Sequence, residues 1–299
     1  MSPLDHHPSF RHAEGLTEHL LRLIDPTDPA DPIARQFLSS AAEALSAPDE
    51  LADPIGDKTH SPLKGLVHRY PDRVLLTPVM ACAAYCRFCF RRETVGQPSL
   101  GLTPAEMDAA LAYIQERPEI WEVILSGGDP LLLSAARLRA LVLRLDDLLQ
   151  VKVLRIHTRL PIVDPVRITE GLVEALTASA KTVYVAVHAN HPRELTEETA
   201  RACARLIQAG IPLLGQTVLL KGVNDDLETL SALMRSMVEM RIKPYYLHQC
   251  DPAPGTAHFR VPIAEGKALM AGLWKTVSGI ARPTYVLDGP DGGGKRPLV

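Results

Sequence analysis

The chain has 299 residues, 46% hydrophobic and 22% charged, with 32 Lys and Arg against 35 Asp and Glu for a net charge of −3. This near-balance argues against a dedicated nucleic-acid binder, which carries a basic excess, and no apolar run is long enough to span a bilayer. The length suits one large domain or two small ones around a substantial core.

No charged segment followed by an apolar run opens the chain, so no secretory signal is read. Of the five cysteines, Cys82, Cys86 and Cys89 are clustered while Cys203 and Cys250 stand alone. An odd, clustered set fits metal or reactive chemistry in a reducing compartment better than a disulfide framework. The expected location is the cytoplasm.

Residues 1–60 are rich in Pro, Asp and Ala, with short helices expected over 16–24 and 32–45 and turns at DPTDPADP and APDELADPIGD. They read as a helical N-terminal arm packed on the main domain, residues 61–299. From Arg73 onward the pattern alternates. Strands are expected over 74–79, 122–125, 151–156, 183–187, 213–219 and 245–247. Helices are expected over 104–116, 135–149, 165–179, 197–209, 227–240 and 264–280. Thr103 and Glu106 form a capping-box pattern with Pro104 between them, Asp164 is the expected cap before Pro165, and Gly210 stands where a helix ends. Six β/α units imply an α/β fold with a parallel sheet and right-handed crossovers. Six fall short of the eight of a full barrel, so a partial (β/α)6 TIM-like barrel is expected. Polar groups follow the strands at 126–130, 157–159, 188–191, 221–226 and 249–251, where parallel folds collect their chemistry.

The segment CAAYCRFCFRR places Cys82, Cys86 and Cys89 directly after the first of these strands. Three thiolates at this spacing suit a [4Fe–4S] cluster, whose fourth iron stays open to a chelating ligand. A structural zinc site needs four ligands, and unrelated core cysteines are the other reading. SGGDP, residues 126–130, is by itself a plausible turn; its glycines also let backbone approach a ligand closely. The end of the chain, GGGK, reads either as a frayed tail or as an amine, Lys295, able to carry pyridoxal phosphate as a Schiff base.

With Phe88 before the last cysteine, the cluster segment resembles the radical S-adenosylmethionine superfamily. The stretch 54–297 resembles the lysine 2,3-aminomutase family through HSPLKGLVHRYPDRVLL, CRFCFRR, EVILSGGDPL, HANHPRELT, QTVLLKGVNDD, CDPAPGTAHFR and GGGK. The resemblance implies an isomerase that moves the amino group of L-lysine to its β-carbon. It implies three cofactors: a [4Fe–4S] cluster on Cys82, Cys86 and Cys89, S-adenosylmethionine, and pyridoxal 5′-phosphate on Lys295. It also implies that Ser126, Gly127, Gly128 and Asp129 bind the methionyl group and that His188 and Gln216 lie near the adenosyl and pyridoxal moieties. Arg69, Tyr70 and Arg73 would hold the pyridoxal phosphate, and Arg91 the substrate carboxylate. Asp251 and Asp288 match two acids that recognise the remote amino group, which favours a basic substrate.

An electron donor such as flavodoxin or ferredoxin is implied, and homo-oligomerisation is expected. Longer relatives continue into an extension with a zinc site, whereas only Arg296–Val299 follow Lys295 here, so no zinc is expected. Asp291 stands where relatives carry glycine, close enough to Lys295 to alter its electrostatics. Alternatives are an aminomutase supplying β-lysine to elongation factor P, one acting on another amino acid, a radical enzyme without pyridoxal, and a cluster-binding electron-transfer protein.

Overall fold

Short β-branched runs alternating with amphipathic helices build one nine-stranded sheet whose strands lie in chain order. The computed structural model describes residues 15–45, 47–289 and 293–298. The strands are β1 (Leu66–Tyr70), β2 (Arg73–Val79), β3 (Glu122–Gly127), β4 (Val153–Thr158), β5 (Thr182–His188), β6 (Leu213–Leu219), β7 (Ile242–Gln249), β8 (Thr284–Asp288) and β9 (Lys295–Pro297). β2 through β8 run parallel. β1 and β9 are antiparallel edges. The sheet order closes no pair between them, so the barrel is partial, as expected.

All six expected strands are present, and three more join them. β1, β8 and β9 escape the sequence reading because each is five residues or fewer and abuts a turn or a glycine run. Their addition turns the stretch around Lys295 from loop into sheet edge.

The capping box at Thr103 and Glu106 starts the helix Pro104–Gln115, and Gly210 takes φ +82° after the helix Glu197–Gln208. Asp164 is not the cap the sequence suggests: it makes no side-chain cap bond, and Pro165–Arg167 is a single 3-10 turn. The helix proper, Glu170–Leu176, starts at Thr169, whose hydroxyl accepts from the Leu172 N–H at 3.3 Å. The expected helix over 32–45 likewise stops at Phe37, because Ser40 and Glu43 make their own capping box around the short turn Ala41–Ala44. The last long helix ends at Thr276, with a separate turn at Gly279–Ala281.

Outer sheet-face residues such as Leu76, Leu125 and Ile156 pack beneath the helices in one core, which Leu20, Ile33 and Phe37 of the arm also enter. Burying such side chains supplies roughly 1.5–3 kcal/mol each, so the arm is fastened by the same force as the barrel. Among the described residues no helix is long and apolar enough to cross a membrane.

Candidate active site

Side chains alternate across a strand, so the inner face of the half-barrel is set by every second residue. Arg155 and His157 of β4, Gln216 and Val218 of β6, and Tyr246 and His248 of β7 line a single cavity of about 630 Å³. That volume is within the ordinary range for cofactor sites. Two irregularities add to the set. Between Gly215 and Gln216 the β7 partner jumps from Pro244 to Tyr246, and the extra residue lets Tyr245 line the cavity beside Tyr246. The break in β1 between Val67 and Tyr70 falls on His68 and Arg69, and Arg69 and Tyr70 both line the cavity.

The cavity gathers every residue that the sequence resemblance assigns to a cofactor or the substrate. Cys82, Cys86, Cys89, Ser126, Gly127, Gly128, Asp129, His188, Gln216, Arg69, Tyr70, Arg73, Arg91, Asp251, Asp288 and Lys295 all border it. Cys203 and Cys250 do not: one is in the main core and the other in a small cluster with Phe259. Among the described residues no three His, Cys, Asp or Glu side chains converge tightly enough to grip a single metal ion.

The thiol trio fits an iron–sulfur cluster by its chemistry. Enclosure, with Asp129 beside it, pushes the Cys82 thiol up; enclosure, with Cys86 beside it, pushes Cys89 up to about 12. Deprotonating thiols so enclosed calls for a cationic centre bonded directly to sulfur. Arg159 Nη1 donates to Cys86 Sγ at 2.8 Å, while its Nη2 donates to Glu194 and Gln36. Its guanidinium also lies over the Phe37 and Phe88 rings, at 4.5 and 5.4 Å.

The cysteine loop is clamped from the arm by Glu43, whose only sequence signal is the Ser40–Glu43 capping-box spacing, which gives no hint of this contact. Glu43 accepts from Arg87 Nε at 2.9 Å and Arg87 Nη2 at 2.6 Å, and from Arg92 Nη2 at 2.6 Å. All three side chains are buried.

SGGDP serves the fold more than the sequence suggests. Gly127 has φ +117°, and a Cβ there would meet the Val79 carbonyl oxygen at 2.5 Å. The Gly128 and Asp129 N–H groups donate to Val79 O at 2.9 Å and Ala81 O at 2.8 Å. The bare glycine faces therefore meet the backbone leading into Cys82, coupling the two loops. The Asp129 carboxylate accepts from Thr158 Oγ1 and from the Leu131, Arg159 and Leu160 N–H groups. It fixes the loop that carries Arg159.

At the other end of the site, Lys295 is held, not frayed. Lys295 pairs with Asp288 across β8 and β9, its amine forms a tight ion pair with Asp288 Oδ2, and its N–H donates to Tyr70 Oη at 2.7 Å. Asp291 lies outside the described residues. Asp288 Oδ1 accepts from Arg69 Nη1 at 3.0 Å. Arg73 lies over the Tyr70 ring at 3.6 Å and pairs with Asp72 at 2.7 Å. Arg69 Nε and Arg155 Nε are buried without hydrogen-bond partners, an arrangement that suits an anionic group. A reachable amine beside unsatisfied guanidinium N–H groups fits pyridoxal phosphate.

Burial pushes Asp251 up to about 7, helped by neighbouring Asp288. Burial, then Arg159 and Lys295, lowers His188 to about 3. Burial likewise holds His157 and His248 well below the usual imidazole range, so all three rings are neutral near pH 7. His157 and His248 carry no motif. His157 lies in the polar group after the third expected strand, and the strand period, in step with Arg155 and Tyr246, points both rings inward.

A sequence model of the Radical SAM superfamily matches residues 76–233, more than half of the chain. An L-lysine 2,3-aminomutase of Clostridium subterminale is 43% identical over 285 residues, covering 95% of this chain and 68% of the relative. A glutamate 2,3-aminomutase of Clostridioides difficile is 36% identical over 285 residues, covering 95% and 67%. A solved radical SAM methyltransferase from Sphaerobacter thermophilus shares the fold with TM-score 0.53 at 19% identity, over 77% of this chain and 72% of that one. With the cysteine trio, the glycine-rich loop and the held lysine on one cavity, the chain belongs to the radical SAM superfamily and, within it, to the lysine 2,3-aminomutase family.

Proposed function

We propose that the protein is an L-lysine 2,3-aminomutase, an isomerase that moves the α-amino group of L-lysine to the β-carbon. The observation that carries the substrate assignment is the pair Asp251 and Asp288 on the cavity shared by Arg91 and Lys295. Asp251 has no ion-pair partner among the described residues, and Asp288 would lose its Lys295 partner once that amine carries pyridoxal. An ammonium suits this pair, whereas an acidic side chain would leave Asp251 uncompensated, at a substantial cost.

The cluster on Cys82, Cys86 and Cys89, with S-adenosylmethionine, supplies a carbon radical, and pyridoxal phosphate supplies the π-system through which nitrogen migrates. The chain's own residues bind, orient and enclose. Arg91 grips the carboxylate, Asp251 and Asp288 receive the distal ammonium, and Lys295 carries the pyridoxal. Arg69, Tyr70 and Arg73 meet its phosphate, while Ser126, Gly127, Gly128, His188 and Gln216 border S-adenosylmethionine. His157, His188 and His248, held neutral by burial, would line the cofactor space without adding charge. A one-electron reductant of flavodoxin or ferredoxin type feeds the cluster. Self-association, also expected from the family likeness, is read by light scattering of the loaded enzyme.

The test is anaerobic incubation of the reconstituted protein with dithionite, S-adenosylmethionine, pyridoxal phosphate and either L-lysine or L-glutamate. β-Lysine from the first and no β-glutamate from the second is the expected result. Cleavage of S-adenosylmethionine with no β-lysine would sink the assignment.

A further inference from the structure

Arg91, assigned to the substrate carboxylate, does not stand alone on the cavity wall. Its Nε and Nη2 both donate to Asp57 Oδ2, at 2.9 and 2.6 Å, and its guanidinium lies 4.6 Å from the centre of the Phe90 ring. One forked edge of the guanidinium is thereby fixed. On the other side, Nη1 makes a long contact, 3.3 Å, to Ser126 Oγ, leaving that edge able to take a carboxylate. The other oxygen of Asp57 accepts from Arg69 Nη2 at 3.2 Å. Asp57 is itself held in a turn: its N–H and that of Lys58 donate to the two oxygens of Asp53, both at 2.9 Å.

The result is an unbroken run of alternating charge, Arg91–Asp57–Arg69–Asp288–Lys295, in which one arm residue joins the substrate clamp to the cofactor end. We infer that Asp57 is a positioning residue that sets Arg91 at the angle from which it binds the substrate carboxylate, and so helps determine selectivity for a free amino acid. The inference rests on the aminomutase reading. An arginine with one edge already bonded loses little freedom on binding. Without Asp57, the guanidinium is free to rotate away or pair elsewhere.

The experiment compares L-lysine with L-lysinamide, which lacks the carboxylate, on protein loaded with cluster and pyridoxal phosphate but without S-adenosylmethionine. Binding is read from the change in visible pyridoxal absorbance. In wild type, lysine binds far more tightly than the amide. In Asp57→Asn this margin is expected to fall at least tenfold, with pyridoxal content and circular dichroism unchanged; with S-adenosylmethionine and dithionite added, KM for lysine rises while kcat moves less than threefold. Asp57→Glu keeps the charge but displaces the guanidinium by one methylene, and an intermediate margin is expected. It gives the reading on folded protein even if Asp57→Asn is unstable. A wild-type margin in the variants, or equal weakening of lysine and lysinamide, overturns the inference. If wild-type protein binds neither ligand, the substrate assignment itself has failed, a result separate from the role of Asp57.

Discussion

Asp288 and Lys295 are register partners across the last antiparallel strand pair, and their side chains close on each other as an ion pair. Asp288 also holds Arg69, so a single carboxylate orders both the amine proposed to carry pyridoxal phosphate and a guanidinium proposed to meet its phosphate. Lys295→Ala is expected to abolish pyridoxal loading, seen as loss of visible absorbance after gel filtration. Asp288→Asn should keep the chromophore but weaken lysine binding by roughly tenfold to a hundredfold, the value of a bond to a charged group. Unchanged lysine affinity in Asp288→Asn would remove it from the substrate site.

Asp251 gives a pH signature. Its carboxyl is pushed up to about 7 by burial, then by Asp288, so the ligand-free site holds the acid form below pH 7 and the carboxylate above it. Only the carboxylate pairs with an ammonium, so KM for lysine should rise up to tenfold per unit as pH falls below about 7 and level off above it. Asp251→Asn should bind lysine weakly at every pH and lose this limb.

The same group should show in stability with the opposite benefit. Because its folded value exceeds the unfolded one, Asp251 costs stability as pH rises from about 4 to 7. Urea titration should find Asp251→Asn more stable than wild type at pH 8, by on the order of a few kcal/mol, and similar to it at pH 4. Equal stability at both values would place Asp251 in contact with water.

Glu43 binds two buried arginines of the cysteine loop. Glu43→Ala leaves both guanidinium groups without this counter-ion, a change worth about 3–5 kcal/mol. A lower urea midpoint and less iron retained per chain are the expected results. Wild-type values for both would show that the arm does not brace the loop.

Arg159 donates to Cys86 Sγ, and donors to cluster sulfur stabilise the reduced, more negative state. Arg159→Met should therefore make the cluster potential more negative by tens of millivolts, given that a net bond is worth about 1 kcal/mol. Spectroscopic redox titration reads the shift directly. A shift to more positive potential would contradict the bond.

Much of the molecule is legible from sequence because its signals are local. The spacing Cys82, Cys86, Cys89, the alternation of strand and helix, and the capping box at Thr103 each depend on neighbours within a turn or two. Period-2 patterning likewise fixes which face of β4 carries Arg155 and His157. Other features come from contacts between residues far apart in the chain. Glu43 meets Arg87, Asp57 meets Arg69 and Arg91, and Lys295 meets Asp288 and Tyr70.

Backbone periodicity in the sequence pointed to the partial barrel, and the resemblance of its short local motifs pointed to the cluster chemistry and the family, since both kinds of signal reside in short segments. Only the tertiary structure decided that Lys295 opens an edge strand, that SGGDP packs on the cysteine loop, and that Asp57 joins two arginines. Those outcomes depend on burial and charge pairing, which come into being only when the chain closes on itself and removes those groups from water.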